Sequence, residues 1–481
     1  MSHTVRNLIA GEWVATSGEA QAVRNPATDA VVATVGTADA GEVDRAVQAA
    51  HAAFEGWRRT PPLERARHLF RLRDLLIAHK ESIATVLTAE HGKTIREARL
   101  EIDRAVDNVE VACGITRMMQ GDILEDAARG IDEYAIRQPL GVYAALTPFN
   151  FPAMIAFWFM PYALAAGNCY VVKPSPRVPM TMGRVFELLV EAGFPPGVVS
   201  LVNGGRETAE ALMDHPLVRG ISFVGSTAVA RQVYARSAGQ GKRVQAQAGA
   251  KNFVLLMPDA DLARATENVV SSAFDCTGQR CLAVSVALVT DPVYEEARDR
   301  LAAAARALRV GDGMDPQTDM GPIISREALA RVRAGVDEAV SEGAAPVVDG
   351  RGIRVAGYPN GYWVGPTLLD GCHPAMRAAR EEIFGPVLCL IRVKDMDEAL
   401  AIIDASPYGN SSAIYTQSGR HAREFRYRVR AGNVGINIGV AAPMAYFHFG
   451  GMKESFFGDL HAQAQDAVQF FTEAKVIIER W

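Results

Sequence analysis

The chain has 481 residues, 49% of them hydrophobic and 22% charged, with a formal net charge of −5. That length exceeds one ordinary core and the composition is globular, so two or three folded domains are expected and extended disorder is not. The mild acidity gives no general attraction to nucleic acid or to an anionic membrane surface, and six cysteines over this length are too sparse for a disulfide framework.

The opening MSHTVRNLIAGEW lacks the basic stretch and apolar core of a secretory signal, so a cytoplasmic location is the expectation. The runs NLIAGEWV and AVVATVG predict short strands on either side of the turn-rich NPATD. From Ala40 to about Met119, apolar residues recur at spacings of three and four (Val43, Val47, Ala50, Phe54, then Ala66, Leu69, Leu72, Leu76) and predict helices, with a break at Pro61–Pro62. After Gly141 strands and helices alternate: VYAAL, a helix at 152–166, CYVVK, a helix at 179–192, VVSLVN, a helix at 206–214, and GISFVG. That alternation predicts a parallel sheet with helices on both faces.

Residues 148–172 are 25 uncharged residues, long enough to cross a bilayer. Pro148, Asn150, Pro152, Pro161, Gly167 and Asn168 interrupt the run, which therefore predicts a buried helix leading into a buried strand. Further on, KNFVLLM and VLCLIRV read as strands and SREALARVRAGVDEAVSEG as a helix. DPVYEEARDRLAAAARAL reads as a helix with Asp291 as its N-cap and Pro292 at its first position. The tail VQFFTEAKVIIERW alternates apolar and polar residues, as a terminal strand pairing with another subunit would.

Chemistry concentrates in a few places. FDCTGQRCLA, at 274–283, holds two cysteines, but no further Cys or His follows at ligand spacing, so no metal site is expected. Spacing alone also fits a buried structural cysteine. Cys281, however, follows Gly278, Gln279 and Arg280, where a tight turn, a cation and backbone N–H groups would lower a thiol pKa. ISFVGSTAVARQVY, at 221–234, reads as strand, turn and helix. Gly225 allows the turn, and Ser226 and Thr227 lie at a helix N-terminus that attracts phosphate oxygens. Many crossovers look alike, and the segment does not match GxGxxG.

Five segments in register carry more weight than any one: TPFNFP at 147–152, GSTAVA at 225–230, GQRCLA at 278–283, EEIFGPV at 381–387 and FGGMKES at 449–455. In this order and spacing the chain resembles the aldehyde dehydrogenase superfamily nearly end to end. The resemblance implies an α/β fold with parallel-sheet cofactor and catalytic domains plus a small β oligomerisation element. It divides the chain into a dinucleotide-binding domain (1–118 and 140–251), a catalytic domain (252–445) and the oligomerisation element (119–139 and 462–481). It further implies that Cys281 attacks an aldehyde to form a thiohemiacetal and that hydride leaves to a nicotinamide, so that a thioester remains. Asn150 and the Cys281 N–H match the donors to the oxyanion. For the cofactor, Lys173 matches the adenosine-ribose contact, Gly225 and Ser226 the pyrophosphate turn and Glu382 the nicotinamide-ribose contact, with Phe384 and Phe149 beside it. Members that prefer NAD usually carry Glu three residues after the lysine; here Pro176 and then Arg177 follow. NAD is therefore the expected cofactor, with NADP possible.

One stretch departs from the common pattern in a way that bears on the product. From Pro216 to Met257 there is no Asp or Glu, while Arg219, Arg231, Arg236, Lys242, Arg243 and Lys251 are present. Members that release a free acid carry LELGG, whose Glu activates water. Aligned on the small-residue pair, this chain reads Gln245-Ala246-Gln247-Ala248-Gly249, with Ala246 at the Glu position. It is similar here to the CoA-acylating branch typified by methylmalonate-semialdehyde dehydrogenases. Coenzyme A brings a thiol, a far better nucleophile than water, and needs no such carboxylate. SFFGDLHA at 455–462 points to the same branch, and Arg104 and Arg280 match its pair of guanidiniums for the substrate carboxylate. The implied reaction converts malonate or methylmalonate semialdehyde to acetyl-CoA or propionyl-CoA with loss of carbon dioxide. The expected partners are a small anionic aldehyde, coenzyme A and further copies of the chain as a dimer or tetramer, without nucleic acid or membrane. Two rivals stand beside this reading. One is a hydrolytic dehydrogenase for another small anionic aldehyde that does not use CoA. The other is a non-catalytic binding or structural relative, against which the intact Cys281, Asn150 and Glu382 argue. Cys276 is expected to line the site without catalysing, and His448 and His461 to be structural.

Overall fold

The helix Ala40–Arg59 buries Val43, Val47, Ala50 and Phe54 and starts at a capping box between Asp39 and Glu42. Pro62–Ala78 buries Ala66, Leu69, Leu72 and Leu76 and has its break at Pro61–Pro62, as the spacing predicts. The chain is described here by a computed structural model that covers residues 3–481, so Met1 and Ser2 of the opening segment lie outside the described residues.

Five parallel strands form the centre of the first large sheet, in the order Arg243–Gln247, Val218–Val224, Val142–Leu146, Cys169–Lys173, Val199–Leu201. The chain builds outward from Val142–Leu146 in one direction, then crosses to add Val218–Val224 on the other side. The order therefore reverses between these two strands, and a ligand crevice is expected at their carboxyl ends. Phe456–Phe457 returns late in the chain to close one edge, antiparallel to Arg243–Gln247. The second sheet runs Ala345–Val348, Thr367–Asp370, Val387–Val393, Val284–Thr290, Asn252–Leu256, Ser411–Tyr415, Asn433–Ile436, and is parallel apart from its first strand. Residues 248–251 join the carboxyl end of a strand in the first sheet to the amino end of one in the second. This short link brings the carboxyl end of one strand close to the amino end of the other.

A third, antiparallel sheet stands apart: Thr472–Glu479, Ile131–Pro139 and Ile123–Ala128. The tail thus pairs with its own chain first, and one edge of that terminal strand is left open. Ile123, Leu124, Val476 and Ile478 are exposed on this sheet.

Two local expectations are corrected. The helix expected at 152–166 is two short ones, Met154–Phe157 and Met160–Ala166, separated ahead of Pro161, and it leads into the fully buried strand Cys169–Lys173. Asp291 does not cap an α-helix. It opens a 3₁₀ turn to Val293, and the α-helix begins at Tyr294. The Asp291 carboxylate lies 3.5 Å from Arg392, and no helix amide takes its place as partner in the first turn. Among the described residues no helix is long and apolar enough to cross a membrane.

Candidate active site

Cys281 sits just past an unusual piece of backbone. After the helix Leu262–Phe274 the chain makes a 3₁₀ turn, and Cys276, Thr277 and Gly278 all have positive φ, at 51°, 55° and 67°. Left-handed backbone at two non-glycine residues costs about 1–3 kcal/mol each and persists only where the surroundings impose it. Here they do. Glu97 accepts the Cys276 N–H at 2.5 Å, Thr277 Oγ1 donates to the Gly321 carbonyl at 2.8 Å, and Gln279 donates through Nε2 to the Cys276 carbonyl at 3.2 Å. Gly278 lies so close to Gly385 that a Cβ would stand 2.2 Å from its carbonyl oxygen. That approach ties the turn to the segment carrying Glu382 and Phe384.

The other side of Cys281 is held by two carboxamides. Its carbonyl accepts from Asn252 Nδ2 at 2.9 Å and from Asn410 Nδ2 at 2.8 Å. Asn150 Nδ2 donates to the Gln279 carbonyl at 3.0 Å, which brings it to the same turn with its second amide hydrogen still available. Of the six cysteines, Cys281 alone is only half-buried; all six are free thiols. Cys276 is buried.

The expected activation of the Cys281 thiol is corrected. Burial, followed by the Glu382 charge, pushes its pKa up to about 12, outweighing Arg280 and the N–H groups of Cys281 and Leu282. Burial likewise pushes the Glu382 carboxyl up to about 7, against the Ala250 N–H and the charges of Lys251 and Arg331. Its Oε1 accepts the Ala250 N–H at 3.0 Å.

At the crevice between the reversed strands lies a cavity of about 680 Å³, walled by Leu146, Thr147, Lys173 and the helices Arg206–Asp214 and Thr227–Ala238. The Lys173 ammonium donates to the carbonyls of Pro174 and Gly204 at 2.9 and 3.1 Å, and burial lowers its pKa to about 8. Ser226 is the N-cap of Thr227–Ala238, yet its side chain makes no capping bond, so that helix presents free N–H groups. A Cβ on Gly225 would meet the Phe223 ring at 2.4 Å. Phe149 and Phe384 meet edge to face at 5.9 Å, and Phe384 has a φ of 55°. Arg177 does not line this cavity; it pairs with Glu327 at 3.4 Å. Arg206 and Arg236 do line it; Arg236 belongs to the acid-free stretch noted in the sequence, whereas Arg206 was not singled out there.

The two arginines expected at the substrate have separate partners. Arg104 reaches Asp107 at 3.3 Å and Met444 Sδ at 2.7 Å, and Arg280 reaches Asp275 and the Ser271 carbonyl, both at 3.3 Å. Five of the six cations between 216 and 257 find separate partners. Arg231 pairs with Glu454, Arg236 with Asp214, Lys242 donates to Met213 and His215, Arg243 to Phe470, and Lys251 to Glu381. Ala246 is wholly buried in register with Phe223 and Phe457. The polar side chain nearest the crevice on this strand is Gln247, whose Nε2 donates to the Phe449 carbonyl at 3.2 Å while its Oε1 is buried without a partner. His461 stacks on His448 at 5.0 Å and bonds Asp466 at 3.3 Å. Among the described residues no cluster could hold a metal ion.

A cysteine on a rigid turn, a carboxamide beside it and a nucleotide-sized crevice at a sheet reversal define an α/β oxidoreductase with a cysteine at its centre. The aldehyde dehydrogenase family profile matches residues 13–477, and the chain belongs to that family. It is 44% identical over 478 residues to malonate-semialdehyde dehydrogenase 1 of Oceanobacillus iheyensis, covering 99% of this chain and 98% of the relative. Its structure is similar to methylmalonate-semialdehyde dehydrogenase from Oceanimonas doudoroffii, with a TM-score of 0.99 at 42% identity over 100% and 98% of the two chains. It is equally similar to a Sinorhizobium meliloti chain complexed with NAD, with a TM-score of 0.99 at 40% identity over 100% and 98%.

Proposed function

We propose that the protein oxidises malonate or methylmalonate semialdehyde with NAD and passes the acyl group from Cys281 to coenzyme A. The observation that carries this reading is the seat of Cys281. Its carbonyl is fixed by Asn252 and Asn410, the Asn150 amide lies at the same turn, and no carboxylate stands between Pro216 and Met257. The names of the relatives support the substrate.

The residues around the crevice fit a dinucleotide. Lys173 and the wall of the 680 Å³ cavity would hold the adenosine end, the free N–H groups at Ser226 and Thr227 the pyrophosphate, and Glu382 the second ribose. When bound, NAD supplies the hydride acceptor. Everything else falls to the chain. Cys281, which is partly exposed, gives its proton to solvent as it forms the S–C bond, and the second Asn150 hydrogen and the Cys281 N–H stabilise the oxyanion. Arg104 and Arg280 receive the carboxylate by exchanging their present partners. The balance for malonate semialdehyde is aldehyde, NAD⁺ and CoA thiol to acetyl-CoA, carbon dioxide and NADH. The chain is further proposed to assemble with copies of itself through the exposed apolar face of the sheet containing Thr472–Glu479.

The test is NADH formation from malonate semialdehyde and NAD with and without CoA, with the product identified by mass. CoA-dependent turnover to acetyl-CoA is expected; equal rates giving a free acid would refute acyl transfer. One observation favours the hydrolytic alternative. Glu382, with its pKa near 7 and its charge felt at the Cys281 thiol, has the strength of a base for water. Turnover without CoA to a free acid, lost in Glu382→Gln while the Kd for NAD stays unchanged, would establish that alternative.

A further inference from the structure

Lys93 is 1% exposed, and its ammonium, with no access to water, is satisfied inside the protein. Nζ donates to Glu101 Oε2 at 2.7 Å and to the Asn150 carbonyl at 2.7 Å, and it lies 4.1 Å from the centre of the Phe151 ring. Glu101 uses its other oxygen, Oε1, to accept the N–H groups of Ala153 at 2.8 Å and Met154 at 3.1 Å. Both side chains of this ion pair are fully buried. Burial works against the ammonium, but Cys276 first, then Glu101 and Glu97, hold its pKa above the ordinary lysine value.

The loop 150–154 has few other anchors of this kind. Phe151 carries no polar side-chain atom and Pro152 no N–H. The carbonyl of Asn150 and the amides of Ala153 and Met154 therefore depend on one buried pair from the segment 93–101. We propose that Lys93, acting with Glu101, is a positioning residue that sets the place of the Asn150 amide at Cys281. This rests on the reading of Asn150 as an oxyanion donor. A buried pair is weak evidence for stability, because desolvation offsets its attraction, but it fixes geometry well. Its partners here belong to the one loop whose placement matters to the acylation step. The neighbouring Glu97 holds the Cys276 turn independently, so the two halves of the site can be separated by experiment.

The experiment uses the full chain with NAD, coenzyme A and malonate semialdehyde, comparing wild type, Lys93→Met, Asn150→Ala and the double variant. Each is also treated with iodoacetamide, which reads the Cys281 thiol without an oxyanion. Lys93→Met is expected to lower kcat/KM by about 10²-fold, the usual loss of one oxyanion donor, with alkylation of Cys281 within about twofold of wild type. Residues that act as a unit do not add, so in the Asn150→Ala background Lys93→Met should cost less than about threefold more. Losses that multiply in the double variant, or an alkylation rate that falls with kcat/KM, would show a general structural role and overturn the proposal. If Asn150→Ala alone leaves kcat/KM unchanged while Lys93→Met lowers it, the oxyanion reading fails first and the proposal with it. Should Lys93→Met not be recovered folded, Lys93→Met/Glu101→Gln leaves no lone buried charge and is measured in the same way.

Discussion

The resting state of Cys281 makes a prediction that separates burial from activation. With a pKa of about 12, roughly one side chain in 10⁴ is thiolate at pH 8, against about one in four for an ordinary thiol near 8.5. A more basic thiolate is more nucleophilic, and with a Brønsted coefficient of about 0.4–0.5 it recovers roughly 40-fold of that 2,000-fold deficit. Iodoacetamide should therefore label Cys281 about 50-fold more slowly than an exposed cysteine peptide at pH 8. Above pH 8 the logarithm of the rate should rise with unit slope to pH 10 without levelling. Between pH 6 and 8 the slope should be shallower, because Glu382 loses its proton near pH 7 and its new charge opposes the thiolate. Glu382→Gln removes that charge and the inflection together. Each unit by which the thiol pKa then falls speeds labelling at pH 8 by about threefold. The assay is the pseudo-first-order rate for the Cys281 peptide, followed by mass spectrometry. A rate that levels off by pH 9, or a Glu382→Gln variant that reacts more slowly, would refute the reasoning.

Three further outcomes follow from the geometry. Arg104→Ala should raise KM for malonate semialdehyde about 10- to 100-fold, the worth of a charged hydrogen bond, while leaving propionaldehyde, which has no carboxylate, unaffected; equal effects on both would remove Arg104 from the substrate. Gly225→Ala places a Cβ 2.4 Å from the Phe223 ring at the cofactor turn. Displacement of about 1–3 kcal/mol should weaken NAD binding about 5- to 150-fold by calorimetry, and an unchanged Kd would mean that the turn lies outside the cofactor site. Val476→Lys/Ile478→Lys puts charge on the exposed face of the tail strand and should shift sedimentation toward the single chain, whereas an unaltered assembly would place the interface elsewhere.

Much of the architecture was legible because burial leaves a period in the sequence. The helices at 40–59 and 62–78 and the parallel strands after Gly141 announce themselves by apolar spacing. The positions of Cys281, Asn150 and Glu382 were legible only together, through the order of five short segments. Less legible was anything decided by which way a polar side chain turns. Arg177 follows Lys173 by four residues yet pairs across to Glu327, and the cations from Arg231 to Lys251 each find a separate partner. The thiol pKa had the right neighbours and the wrong sign, because sequence lists charges without the desolvation that outweighs them here.

The helix Ile95–Cys113 shows why the supporting residues escaped notice. Glu97, Glu101, Arg104 and Asn108 recur at spacings of four, three and four, which in a sequence reads as the solvated stripe of an amphipathic helix. In the structure three of the four are buried. Glu97 holds the nucleophile turn, Glu101 the Asn150 loop, and Asn108 accepts from Tyr162, while Arg104 ends at Met444 on the late loop. A polar stripe can be placed inside a protein only if other segments bring partners to it, and those partners lie from 8 to 340 residues away along the chain. The one local trace is the Thr94–Glu97 capping box, which fixes where this helix begins and so the phase of the whole stripe. Once the phase is set, the same rotation that aims Glu97 at Cys276 aims Glu101 at Ala153. The nucleophile and its carboxamide therefore take their relative positions from one rigid element, although neither residue belongs to it.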